Sequence, residues 1–379
     1  MDFGQRINDG ITGKFSARFK KPVLLLTGLV VVIAISLLVV FITKPSLEDF
    51  PKIPFVNLPA QEDPFENLKG KIYMTLAPKD DNATNLYVLN VDSKRIEPLF
   101  DFYGEEDFGD LFVGVTSKFS PLGDEFAYMA APIDRDPKKI SPIGTFLGLF
   151  VFNTETRTWQ GVSKSSLHNK RLPQWSPKGT EIVFNGREQG IGSFSADNLE
   201  GWGIYVTDLN GNERRVTSGA YPHWSPAGDA LIFLRDDGLY VYNFLSKRNI
   251  KVYSLSEEHV KINTKLGVSG DGSLLALSNP NTADVSVFKI ISWNPFQMQL
   301  IKRLSERTPD GSVTDFYWPV FSPDNRYLAL QATERDVASR AFPKNPRIVV
   351  YELSDFKQKV IGSLGGFNFD LAFTTDWRY

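Results

Sequence analysis

The chain has 379 residues, with 42 Lys+Arg against 44 Asp+Glu and a formal net charge of -2. So even a balance provides no field to draw nucleic acid, and the absence of Cys excludes disulfides, thiolate metal sites, a Cys nucleophile and a lipidated Cys. Only His168, His223 and His259 are available to a histidine metal centre, so neither a metal nor a cofactor is expected.

In chain order, the first predicted element is a membrane span. Pro22 to Ile42 is an uncharged run of 21 residues, of which 17 are Ala, Val, Ile, Leu or Phe. A helix of about 20 apolar residues crosses a bilayer core. The run is too long for the apolar core of a cleaved signal peptide, and no A-x-A site follows it. Five cations, Arg6, Lys14, Arg18, Lys20 and Lys21, precede it, whereas only Lys44 and Lys52 lie in the comparable stretch beyond. The positive-inside rule therefore puts residues 1–21 in the cytoplasm and the remainder outside the membrane. Residues 43–69 hold five prolines and read as a stiffened spacer, with a reach of about 80 Å if fully polyproline-like.

From Gly70 to the last residue the sequence repeats. Five segments share an aromatic or small apolar residue, Ser, usually Pro, any residue, and Gly or Asn, followed by alternating apolar positions. They are Phe119-Ser120-Pro121-Leu122-Gly123, Trp175-Ser176-Pro177-Lys178-Gly179, Trp224-Ser225-Pro226-Ala227-Gly228, Val268-Ser269-Gly270-Asp271-Gly272 and Phe321-Ser322-Pro323-Asp324-Asn325. Their serines are 56, 49, 44 and 53 residues apart, the period of a four-stranded propeller blade. Pro presets the first corner of a turn and Gly or Asn takes the left-handed position after it. Each motif is thus a tight hairpin between the first and second strands of a blade. Strands are predicted at Glu181–Phe184, Leu231–Leu234, Tyr327–Leu330, Gly203–Asp208, Gly238–Tyr242 and Arg347–Tyr351. A sixth copy is split between the ends of the sequence. Phe373 to Tyr379 is aligned with Phe321 to Tyr327, which puts Trp377 in the Gly slot, and Lys71–Met74 supplies the next strand. The expectation is an all-β, six-bladed β-propeller in which the two ends share one blade, removing the exposed edge.

These W-S-P-x-G copies, each followed by a G-x-Y-V-x-D-like strand, resemble the repeats of TolB-type β-propellers. The same repeats occur in the propeller halves of prolyl-oligopeptidase-like enzymes. The resemblance spans residues 70–379 and implies the fold, since propellers host many activities.

Catalytic motifs are sparse. No G-x-S-x-G elbow occurs. Gly190-Ile191-Gly192-Ser193 reads as loop glycine, Ser354-Asp355-Phe356-Lys357 as a chance S-x-x-K at a strand end, and Asp134-Arg135-Asp136 as an incomplete calcium loop. His223, beside Trp224, reads as a packing or hydrogen-bonded residue, and Asn82-Ala83-Thr84 is a glycosylation sequon in a eukaryotic source. The remaining candidates lie on long loops between second and third strands, all on the face opposite the S-P-x-G turns: Asp134, Arg135, Asp136, Arg187, Glu188, Arg335, Asp336 and Arg340. The expected function is non-enzymatic: a membrane-anchored, extracytoplasmic scaffold binding another envelope protein or a cell-wall polymer. The alternatives are a glycan hydrolase or lyase at the channel mouth, which would need two or three carboxylates with a His there, and an accessory subunit of a secretion or pilus machine.

Overall fold

A computed structural model describes residues 65–79, 85–99, 111–132, 148–163, 167–187, 201–235, 237–255, 264–279, 283–306, 312–335, 344–367 and 373–379. The span predicted at 22–42 and most of the spacer lie outside them. Among the described residues no helix is long and apolar enough to cross a membrane.

Among the described residues, twenty-four strands form six antiparallel sheets of four. Blade two is β4 (Leu111–Phe119), β5 (Glu125–Pro132), β6 (Gly148–Asn153) and β7 (Thr158–Gly161). Blade three is β8 (His168–Trp175), β9 (Glu181–Arg187), β10 (Trp202–Asp208) and β11 (Glu213–Ser218). Blade four is β12 (Ala220–Trp224), β13 (Ala230–Arg235), β14 (Gly238–Asn243) and β15 (Arg248–Ser254). Blade five is β16 (Lys265–Val268), β17 (Leu274–Asn279), β18 (Asp284–Trp293) and β19 (Phe296–Ser305). Blade six is β20 (Val313–Phe321), β21 (Tyr327–Arg335), β22 (Lys344–Glu352) and β23 (Gln358–Ser363). Blade one joins the two ends of the described chain: β24 (Phe373–Arg378) pairs with β1 (Lys71–Leu76), followed by β2 (Asn85–Asn90) and β3 (Arg95–Pro98). The first strands β4, β8, β12, β16, β20 and β24 contact one another in a closed ring, which is the propeller's inner wall.

The middle strands of each blade are apolar on both faces because each sheet is covered on both sides. Among the described residues, six clusters fill the six clefts between neighbours. One joins blades six and one through Tyr327, Ile348, Ile72 and Met74. Another joins blades three and four through Val183, Ile204, Trp224 and Phe233. The outer strands β3, β7, β11, β15 and β23 are mostly exposed or half-buried and carry polar side chains.

The S-P-x-G segments are the predicted hairpins. Gly123, Gly179, Gly228, Gly272 and Asn325 all have positive φ, from 59° at Asn325 to 119° at Gly123. Buried Ser176, Ser225, Ser269 and Ser322 each accept a backbone N–H from the far side of the turn, at 2.9–3.3 Å. The motif tryptophans reach the preceding blade: Trp175 Nε1–H donates to Lys118 O at 2.9 Å and Trp224 Nε1–H to Gln174 O at 3.2 Å.

The shared blade is present, but its alignment differs from the sequence reading. Trp377 pairs with Ile72, just as Trp175 pairs with Ile182, Trp224 with Leu231 and Phe321 with Leu328. Trp377 therefore occupies the aromatic slot rather than the Gly slot, four positions from where the Phe373–Phe321 alignment puts it. Its Nε1–H donates to Lys69 O at 3.2 Å. The strain expected of Trp377 at a left-handed turn position does not arise. The propeller also begins earlier than Gly70: Phe65 and Leu68, read as spacer, are buried between blades six and one, with Phe65 stacked on Tyr327.

Candidate functional site

The residue just before each motif aromatic is placed at the same level of the inner wall by the strand registers. Lys118, Gln174, His223, Gly267, Val320 and Asp376 make this ring, facing Ala127, Val183, Ile232, Ala276, Ala329 and Tyr73 on the second strands. Above the ring is a cavity of about 620 Å³, walled by these residues and by turn residues such as Pro177, Pro226 and Pro323. That volume lies in the range of small-ligand sites.

The ring's charges knit the closure seam. Lys118 Nζ donates to Asp376 Oδ1 at 2.8 Å and to Thr375 O at 3.2 Å. Arg378 Nε lies 3.4 Å from Asp376 Oδ2, its guanidinium is 4.7 Å from the Phe119 ring centroid, and Nη2 donates to Ser120 O. Blade one's innermost strand is thereby held to blade two by an ion-paired triad with part of its surface in the cavity.

His223 holds its ring against blade five, Nε2 being 3.0 Å from Leu266 O. Burial first, and then the Lys118 cation, push its pKa down to about 3. The neutral ring thus serves as a donor to that carbonyl. The sign for stability follows from proton binding. Between about pH 6.5 and pH 3 the unfolded chain takes up a proton that the folded ring resists, so stability falls as pH drops through that window. The loss is at most about 1.4 kcal/mol per pH unit, less where water in the cavity screens the ring. Replacing His223 by Gln should flatten the melting temperature against pH between 6.5 and 4, measured by tryptophan fluorescence. An unchanged slope would assign the acid sensitivity to other groups.

One level deeper, the inner strands carry a repeated bulge. The β8–β9, β12–β13 and β20–β21 registers each shift there, and Leu172, Tyr221 and Trp318 have φ of 56°, 56° and 51°. A bulky residue in this region costs of order 1–3 kcal/mol. Each is followed by Pro: Leu172-Pro173-Gln174-Trp175, Tyr221-Pro222-His223-Trp224 and Trp318-Pro319-Val320-Phe321. The recurring Pro two places before the motif aromatic is the legible signal for this layer, and it lies just outside the S-P-x-G motif. Between two of these residues, Lys265 Nζ donates to the Tyr221 hydroxyl at 2.6 Å and lies 4.7 Å from the Trp318 ring centroid.

Of the candidate loop residues, Asp134, Arg135, Asp136, Glu188, Asp336 and Arg340 lie outside the described residues. Arg187 is not an exposed loop residue. It is the last residue of β9 and 8% exposed. Arg335 ends β21 and is engaged, its Nε and Nη2 donating to Asp315 Oδ2 and Oδ1 at 2.7 and 3.1 Å. Asp315 is itself 3% exposed. Alanine at 335 would strand that carboxylate. Ser354 sits in the β22–β23 turn with its hydroxyl on Glu352. Among the described residues no group of three or more His, Asp or Glu is placed to hold a metal ion.

Fold and inner wall together define a six-bladed β-propeller with an axial cavity and a blade shared between the two ends of the chain. Compared by sequence, the chain matches no family model and no curated protein. Among solved structures it is similar to TolB from Acinetobacter baumannii, at 17% identity and a TM-score of 0.53 over 81% of this chain and 66% of that one. It is also similar to a chain of the nidogen/laminin complex, at 6% identity and a TM-score of 0.51 over 82% of this chain and 97% of that one. The match spans just under two thirds of the TolB chain. By fold, this is a TolB-like six-bladed propeller.

Proposed function

We propose that this is a single-pass membrane protein that displays its propeller outside the cytoplasmic membrane as a non-enzymatic scaffold for another envelope protein. The observation that carries the binding role is the axial cavity: about 620 Å³, built on the rigid inner strands and bordered by the turn residues. Its wall combines proline and aromatic faces with one mixed charge cluster, Lys118, Asp376 and Arg378. That composition suits a protruding segment of a protein, with apolar contacts supplying area and the charges fixing direction. The apolar run at 22–42 and the five cations before it support the anchoring and the orientation.

A photo-cross-linking residue in place of Gln174 or Val320, in intact cells, tests the reading. It should give a discrete adduct with one other protein, and protease added from outside should release the propeller with that adduct attached. A propeller protected until the membrane is lysed would reverse the orientation. Adducts from position 335 but from neither ring position would move recognition to the opposite face.

A further inference from the structure

The outer strands of five blades are protected edges. β3 and β7 are four residues long, β3 ending in Pro98, and β11, β15 and β23 carry Arg or Lys. Short length, charge and proline are the usual means of keeping a strand's open side from pairing with another chain. Blade five is different. Among the described residues β19 is the outermost strand of its sheet and ten residues long, and from Phe296 to Leu300 it holds no charge, no Pro and no Gly. Ile291, Leu300 and Ile301, all on the β18–β19 hairpin, are 54%, 42% and 44% exposed.

The composition of this run is symmetrical. Phe296, Met298 and Leu300 lie opposite Trp293, Ile290 and Phe288 of β18, which puts all three on the face toward blade four, where Phe296 and Met298 pack against the cluster in that cleft. Gln297 and Gln299 alternate with them on the other face. In either direction the order is large apolar, amide, Met, amide, large apolar. Its limits match as well. Pro295 at one end has no N–H to give to a ladder. At the other end Ile301 is the extra residue of a bulge, where the register passes from Leu300 opposite Phe288 to Lys302 opposite Val287.

A surface that is its own complement joins two copies about a two-fold axis. We propose that two chains pair edge to edge through β19, antiparallel and centred on Met298. Met298 then faces its counterpart, while Phe296 faces Leu300 and Gln297 faces Gln299, each of these twice. Apolar side chains meet on one face and amides on the other, the cross-strand matches that stabilise a sheet. Lys302 and Arg303 fall beyond the ladder, so no cation is set opposite another. A shift of one residue would oppose Gln299 to Met298 and Gln297 to Leu300, so the same pattern fixes the register. None of Phe296 to Leu300 lines the axial cavity, so this contact and the binding role proposed for the cavity fail separately.

The test is sedimentation of the full-length chain in a neutral detergent, which should give the mass of two chains. Leu300→Lys sets a cation against the aromatic row at both ends of the ladder, and should sediment as a single chain while melting as cooperatively as the wild type. The chain has no Cys, so Met298→Cys carries a sole thiol. Mild oxidation should link it into a dimer on a non-reducing gel, well above the level given by Leu245→Cys, a collision control at a side chain 93% exposed on blade four. The proposal is overturned by a single-chain mass for the wild type, or by a Leu300→Lys variant that remains a dimer. It is also overturned if Met298→Cys links no better than the control, or links to a different protein, which would make β19 the edge for that partner's strand.

Discussion

Deleting residues 366–379 should abolish cooperative unfolding of the propeller. The deletion removes β24, so β1 loses its ladder from Lys71 to Thr75 and becomes an open edge, while β20 and β4 lose the strand between them. Trp377, 3% exposed and stacked on Tyr327, leaves the cluster between blades six and one, and Phe367 leaves Tyr87. Removing one buried Trp side chain alone costs about 3–5 kcal/mol. Lys118 also loses Asp376, and the loss of a strand's hydrogen bonds adds to both. Together these approach or exceed the roughly 5–15 kcal/mol by which a domain is stable. Circular dichroism or tryptophan fluorescence of the truncated protein should show a broad, non-cooperative melt. A sharp melt near the full-length temperature would show that blade one does not close the ring.

The turns were legible because their chemistry is local. Proline and glycine at fixed offsets declare a hairpin whatever surrounds them, and Asn325 with φ of 59° behaves as its residue type demands. The sixth copy was misaligned because that locality fails there. Its turn is not a continuous segment of chain: Trp377 to Tyr379 supply one side and Lys69-Gly70 the other. No Ser or Pro marks it, and Phe373-Thr374-Thr375-Asp376 imitates the motif by composition. What sets the true register is long-range, namely the pairing of Trp377 with Ile72 and the indole bond to Lys69 O. A strand register specifies every side chain's face, so a slip in the alignment changes the role given to each residue from 373 onward.

The inner ring was illegible for a different reason. Lys118, Gln174, His223, Gly267, Val320 and Asp376 share a place in the fold and no chemistry, so no pattern search joins them. His223 alone was singled out, and its bond to Leu266 O agrees with the hydrogen-bonded role read for it. Arg187 was noticed for its charge and assigned to an exposed loop, because sequence does not show that β9 runs on to include it.

Gly267→Ala should cost about 3 kcal/mol, at the upper end of what overpacking imposes. Gly267 is the one ring position with no side chain, and the reason is the neighbouring blade. A Cβ there would lie 2.3 Å from Pro319 O and 3.1 Å from Pro319 Cγ. The first of these is backbone, and Pro319 has little room to yield. It follows Trp318 in its left-handed bulge, whose carbonyl accepts from Thr374 Oγ1 at 3.1 Å, and its own ring fixes φ. A methyl group must therefore force β16 away from β20 and open the cleft between blades five and six. Gly270→Ala, three residues on in the turn, meets nothing within 4 Å and has no positive φ, so it should shift stability by less than about 0.5 kcal/mol. Urea denaturation of the two variants beside the wild type separates them. Equal midpoints would mean that the inner strands have slack at this level. The ring could then widen, and the cavity above it would not be the fixed template that binding by shape requires.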